Sequence, residues 1–180
     1  HVHWYRSNAY YASGDWRGTW ALDGGGVLMN QAIHTIDLMQ YLGGPVRQLT
    51  AMTANLLHPT IEVEDVASAT VEFTNGAIGA FTATTCAYPG LTTRVEIFGE
   101  NGSCIIENDK LVYQHFAANE DSGTHGLNYT ESNQVSEEEE DQDSPDVRAR
   151  IYGNSHYYQF LDFIEALQQD RDPMVTGEEG

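Results

Sequence analysis

Basic residues are scarce in this sequence: 8 lysines and arginines stand against 27 acidic residues, and Lys110 is the only lysine. The formal charge of −19 repels nucleic acid and anionic lipid at long range, which argues against both as partners. Removing the acid-rich stretch 120–146 takes away 10 acidic residues and leaves 17 against the same 8, so the acidity is spread over the whole surface. A salt-rich source, where screening offsets self-repulsion, is one reading of this pattern; an ordinary acidic protein is the other.

Cysteine is nearly absent as well. Cys86 and Cys104 have neither CxxC spacing nor a second pair of ligands, so buried free thiols in a reducing cytoplasm are expected rather than a zinc site. No apolar run approaches the ~20 residues that cross a bilayer, and the N-terminal HVHWYR lacks the layout of a secretory signal. The chain opens inside what reads as a strand and stops on Gly-Glu-Glu-Gly, the layout expected of a piece of a longer protein. No internal repeat is visible. No GxGxxG fingerprint sits between a strand and a helix, so the chain has no evident dinucleotide site of its own.

What is present is globular in character. The 180 residues are 41% hydrophobic, with three Trp, ten Tyr and six Phe, enough for one domain over 1–180 with a true core. Residues 1–6 read as a strand that feeds a loop from Ser7 to Asp23. Asp23-Gly24-Gly25-Gly26 then precedes a Pro-free apolar segment, Val27 to Leu42, that stops at Gly43-Gly44-Pro45; this start and stop pattern predicts a helix of about four turns. Strand signals follow at 46–55, 65–74, 77–87, 92–99, 103–107 and 110–116, with hairpin reversals at Asn75-Gly76 and Glu100-Asn101-Gly102. Segment 117–147 has little apolar content and reads as an acidic loop or mobile excursion. A second helix is predicted from Ser155, its cap, to Gln169. Together these predict an α+β fold, an open, mostly antiparallel sheet with helices on one face.

On a helical wheel of about 100° per residue, Asn30, His34, Asp37 and Tyr41 fall within an arc of roughly 60° amid apolar neighbours. This is the reverse of a surface helix, so a mostly buried helix is expected, its polar line facing a cleft or a hydrogen-bonding neighbour. Buried polar groups without partners cost about 1–3 kcal/mol each, and a hydroxyl-rich substrate would satisfy them. The plainer alternative is that His34 and Asp37 satisfy each other. On the functional reading His34, of a residue type with an intrinsic pKa of about 6.5, takes a proton from an alcohol. Asp37 orients its ring, and the Asn30 amide positions vicinal hydroxyls. The glycine block leaves amides of Gly25 and Gly26 free at a helix start for an anion or a nicotinamide carboxamide. Arg6, Tyr10, Tyr11, Trp16 and Arg17, in the loop before this helix, offer cations and aromatic faces to a sugar or phosphate; ordinary loop packing is their alternative. His156 reads as a capping or surface residue, and the His1-x-His3 pair lacks the further ligands of a metal site, so none is expected.

The block Trp16-Arg17-Gly18-Thr19-Trp20, followed by Gly24-Gly25-Gly26-Val27-Leu28-Met29-Asn30-Gln31-Ala32-Ile33-His34-Thr35-Ile36-Asp37-Leu38, resembles the C-terminal domain of the Gfo/Idh/MocA oxidoreductases. The likeness continues through Glu64-Asp65-Val66-Ala67, Phe73-Thr74-Asn75-Gly76-Ala77, Phe98-Gly99-Glu100-Asn101-Gly102-Ser103 and the helix from His156 to Leu167. The resemblance implies a fold like the C-terminal domain of glyceraldehyde-3-phosphate dehydrogenase. It also implies an upstream Rossmann domain that holds most of an NAD or NADP, with a Glu-Lys-Pro lysine that works with the residue matching His34. Many members have Asp four residues before that His. Here Asn30 stands there, which leaves it as a positioning group, argues against an Asp-dependent proton relay and points to sugars or sugar nucleotides. The implied class of reaction oxidises a secondary alcohol of a sugar, sugar nucleotide or cyclic polyol by hydride transfer. A homo-oligomer, dimer or tetramer, through the sheet face is implied too, and the fragment alone is expected to be inactive. The rivals are a noncatalytic scaffold or sugar-sensing relative, and a metal-dependent hydrolase built on His34 and Asp37, for which the sequence supplies too few ligands.

Overall fold

The protein is described by a computed structural model over residues 1–108, 110–116 and 154–178. The acidic stretch 117–147 and the side chains of Ser155 and His156 lie outside the described residues. Contacts divide the chain into two compact units, His1–Val135 and Ser136–Gly180, each described by itself.

The first unit holds β1 (Val2–His3), α1 (Asn8–Tyr11), α2 (Val27–Asn30) and α3 (Ile33–Gly43). They are followed by β2 (Val46–Ala54), β3 (Val66–Phe73), β4 (Ile78–Thr84), β5 (Arg94–Gly99), β6 (Gly102–Glu107) and β7 (Lys110–Phe116). The predicted strands are all found, within a residue or two at most ends; the first shrinks to two residues. At the β3–β4 hairpin Gly76 has φ of +90°, which favours glycine, and Asn75 Oδ1 accepts from the Ala77 amide.

The expected open sheet is written as two ladders, β1-β4-β3-β2 and β5-β6-β7. Strand β1 joins them: it runs parallel to β4 and on its other edge makes an antiparallel bridge from Val2 to Thr93. The His3 amide donates to Thr92 and the Leu91 amide to His3. Every other pairing is antiparallel. The fold is α+β.

Strand β3 shows why one face is covered. Ala67, Ala69, Val71 and Phe73 are buried while Ser68 and Thr70 between them are exposed, the period-two signature of a sheet packed on one side. Val2, Val27, Ala32, Ala67 and Ala83 form the core cluster, with Leu28, Ile36 and Phe81 against it. Each fully buried valine there is worth about 2 kcal/mol.

The predicted single helix over 27–42 is broken. The Val27 carbonyl accepts from both the Gln31 and the Ala32 amides, a widened turn that ends α2 and restarts the chain at Ile33. Ala32, 1% exposed, is pressed into the core at that point, and packing there overrides helical continuity. Nor is the helix mostly buried: α3 has no buried residue. The sheet covers one side of it, and its apolar residues on the other sides, such as Ile33 and Leu42, stay open.

In the second unit α4 (Asn154–Gln169) confirms the second predicted helix, beginning one residue earlier. Among the described residues no helix is long and apolar enough to cross a membrane. Both thiols are free and half-buried; Cys104 lies in β6, whereas Cys86 lies just past β4, bridged to Tyr5.

Candidate active site

The turn from Asp23 to Asn30 is built around one carboxylate. Glu64, just before β3, accepts hydrogen bonds from the amides of Gly26 (3.1 Å) and Leu28 (3.1 Å), and its carbonyl accepts from Val27. The backbones approach so closely that a Cβ on Gly26 would stand 1.8 Å from Glu64 O. Glu64 therefore occupies the positive start of α2 that the sequence had offered to an external anion. Of the two glycines assigned to the cofactor, Gly26 has its amide engaged; the Gly25 N–H makes no hydrogen bond among the described residues.

Asn30 is held in the same turn. Its amide nitrogen donates to Asp23 Oδ1 (3.1 Å) and to the carbonyls of Gly25 (3.2 Å) and Gly26 (3.3 Å), which leaves Oδ1 as its available group. The other Asp23 oxygen accepts from the Gly18 amide at 2.7 Å. One carboxylate thus ties Asn30 to the residue that follows Arg17. Gly18 is itself required there, with φ of +70° and Ile61 2.6 Å from any added Cβ.

Asn30, His34, Asp37 and Tyr41 are all exposed, Tyr41 by 82%. Their line points away from the core, not into a closed cleft within this chain. No hydrogen bond joins His34 to Asp37 among the described residues, so the carboxylate does not orient the ring here, and neither do the two satisfy each other. A groove of about 640 Å³ lies on the other side of α3, lined by residues such as Ile36, Met39, Phe73 and Phe81 and by none of the polar line.

The loop residues divide by depth. Ser7 caps α1 by accepting from the Tyr10 amide, and the two consecutive tyrosines diverge. Tyr11, assigned to substrate from sequence, is buried instead: it packs with Ile61 and Val63 and shares a 3.2 Å hydrogen bond with Thr85. Burial raises its phenol above the ordinary pKa. Tyr10, which the sequence offered alongside it, is half-buried. The Arg6 guanidinium lies 4.7 Å and that of Arg17 4.4 Å from its ring centroid. Arg17 also stacks on Trp16 at 4.2 Å and donates to the Tyr10 hydroxyl at 3.0 Å.

Beneath this loop is a buried polar cluster that sequence reasoning missed. Asp65, fully buried, accepts from the amides of Leu56 (2.8 Å), Leu57 (2.8 Å) and His58 (3.1 Å) and from His58 Nδ1 (2.9 Å). Burial pushes its carboxyl up, but the Leu56 and Leu57 amides and the His58 ring outweigh that and hold it below the ordinary value. His58 donates from Nε2 to the Arg6 carbonyl at 2.8 Å, which fixes the backbone under Arg6. With Cys86, these residues bring three potential metal-ligand atoms within 4.8 Å of one another, yet each is engaged in the cluster, with Cys86 Sγ donating to the Asp65 carbonyl. Only the adjacency Glu64-Asp65 before a strand hinted at this; its partners lie 7 to 52 residues apart.

A family model described as the GFO/IDH/MocA C-terminal domain matches residues 1–105. The chain belongs to this family. The WlbA dehydrogenase of Bordetella pertussis, solved with NADH and UDP-GlcNAcA, shares the fold with a TM-score of 0.72 and 29% identity over 99% of this chain and 45% of its own. The WlbA enzyme of Chromobacterium violaceum, solved with the same two ligands, gives a TM-score of 0.61 and 38% identity over 68% of this chain and 36% of its own. The oxidoreductase YrbE of Bacillus subtilis is 34% identical over 90 residues, 48% of this chain and 26% of its own. The chain spans about a quarter of the length of the curated relatives it matches.

Proposed function

We propose that residues 1–180 serve as the substrate-binding and oligomerising domain of an NAD- or NADP-dependent dehydrogenase that oxidises a secondary alcohol of a sugar or sugar nucleotide. The observation that carries this reading is the exposed polar line Asn30–His34–Asp37. It runs from the end of α2 onto α3, whose opposite side is packed on the sheet, and His34 and Asp37 are not engaged with each other. A substrate held between this surface and a nucleotide-binding domain would complete it. WlbA enzymes solved with NADH and a nucleotide sugar support that assignment.

In this mechanism His34 accepts the hydroxyl proton of the substrate as the carbinol C–H leaves as hydride. The nicotinamide supplies the hydride acceptor when bound. Asn30 Oδ1 accepts from a neighbouring hydroxyl and fixes the reacting carbon, while Asp37 contributes a further acceptor on the same face. Glu64 and Asp23 hold the turn that presents Asn30. Of the two glycines, the buried Gly25 keeps an N–H without a hydrogen bond among the described residues for a carboxamide; Gly26 does not, because Glu64 holds its amide. The rest of the dinucleotide falls to another domain, and this chain alone is inactive. Exposed Met52 (80%) and Ile78 (83%), paired with Ser68 and Glu72 on the sheet face away from the helices, suit a homo-oligomer contact. The charge of −19 disfavours nucleic acid and anionic membrane.

The test is titration of the full-length protein, and of this chain, with NADH and NADPH followed by nicotinamide fluorescence. Binding by the first and not the second, with turnover on a sugar panel abolished by His34→Ala, is the expected result. Absence of binding by both reduces the chain to a noncatalytic scaffold or sugar-sensing relative.

A further inference from the structure

The described arginines fall into two kinds. Arg47 pairs with Glu72, Arg94 with Glu96 and Glu107, and Arg171 with Asp162 and Glu165. Arg6 and Arg17 pair with no carboxylate among the described residues, although the chain holds 27 acidic residues. In so acidic a chain, two guanidiniums gathered on one tyrosine ring without a counter-ion are the exception. Both guanidiniums lie within 4.7 Å of the Tyr10 ring centroid and no carboxylate among the described residues neutralises them, so the pair is suited to an added anion.

The two side chains are also pre-positioned. Arg6 is fixed through its backbone, its amide donating to Thr85 at 2.9 Å and its carbonyl accepting from buried His58. Its guanidinium lies near both Trp4 (4.8 Å) and Tyr10. Its Nε is buried without an acceptor, and its terminal nitrogens hold none among the described residues. Arg17 is steered by Ser13 Oγ at 3.1 Å and by the Tyr10 hydroxyl, which leaves one terminal nitrogen unbonded. Such stacked, planar guanidiniums match an oxyanion with paired oxygens. Asp23 links the residue next to Arg17 to Asn30, so Arg17 and the proposed hydroxyl-positioning group are tied through one carboxylate.

We propose that Arg6, Tyr10 and Arg17 form an oxyanion-recognising platform that selects a sugar bearing a carboxylate or phosphate. The anion bridges the free guanidinium nitrogens while the sugar ring reaches Asn30. The inference deepens the substrate assignment above and rests on it for the identity of the ligand as a sugar. It does not depend on hydride transfer.

Binding is measured by calorimetry on the full-length protein without nicotinamide, so a failure of catalysis leaves the readout intact. The probes are D-glucuronate, glucose 6-phosphate and glucose. Either anionic sugar binds at least about tenfold more tightly than glucose, and which one does so identifies the source of the oxyanion. Arg17→Gln removes that preference and leaves glucose affinity unchanged, Arg17→Lys restores part of it, and added salt weakens the anionic ligand only. Arg6→Gln acts in the same direction, with a circular-dichroism melt to show that each variant is folded. Equal affinity for glucose and both anionic sugars, no binding of any of the three, or an unchanged preference in folded Arg17→Gln overturns the proposal.

Discussion

Two polar regions of the first unit stand in opposite states. Beneath the loop, Glu64, Asp65, His58 and Thr85 are buried or half-buried and joined to backbone groups across the fold. On the outer side of α3, His34, Asp37 and Tyr41 are exposed and unbonded to one another. The first set spends its hydrogen bonds on shape; the second leaves its polar atoms at the surface. Residues of similar chemistry thus serve opposite ends, and what separates them is whether folding leaves an acceptor or donor free.

The sharpest way to break that contrast is Asp65→Ala. It strands the Leu56, Leu57 and His58 donors, at about 3–5 kcal/mol, measured as a lowered midpoint in urea. Because the Asp65 carboxyl is held below its ordinary value, its contribution is complete above a pH of about 3.9 and is lost as pH falls below that toward the folded value. The wild type loses stability through that acid window, and Asp65→Ala flattens the slope there. Gly26→Ala comes next. The added Cβ meets the Glu64 carbonyl, and the forced backbone shift costs about 3 kcal/mol, seen as a drop in melting temperature.

Glu64→Gln keeps the shape but removes the charge from three hydrogen bonds, at about 1–2 kcal/mol in the same melt. The smallest effect on stability belongs to His34→Ala. An exposed, unbonded side chain changes stability by no more than about 0.5 kcal/mol, while turnover of the full-length protein falls by about a hundredfold or more. If His34→Ala destabilised the chain as Asp65→Ala does, the division into shape-holding and ligand-seeking groups would fail.

Much of the frame was legible from local pattern. The strands from 46 to 116 follow alternation and turn residues, and Asn75-Gly76 reverses the chain as its chemistry predicts. The polar line was also readable, because i, i+3 and i+4 spacing places residues on one face wherever the helix falls. The break at Gln31-Ala32 was not readable. It arises because Ala32 is drawn between β-strand residues distant in sequence, and wheel geometry assumes an unbroken helix. Tyr11 was misplaced for a related reason: in a one-turn helix, two adjacent aromatics look alike in sequence, and only Ile61, Val63 and Thr85 decide which is covered.

By itself, then, the sequence determined the strand order from 46 to 116, the C-terminal helix and the glycine turn, since these depend on neighbours a few positions apart. The tertiary structure alone decided that Glu64 fills the helix start, that Asp65 and His58 anchor Arg6, and that two arginines share one tyrosine without a counter-ion. Those pairings span from 4 to 52 residues, and the long-range hydrogen bonds among them exist only once the sheet has brought the segments together.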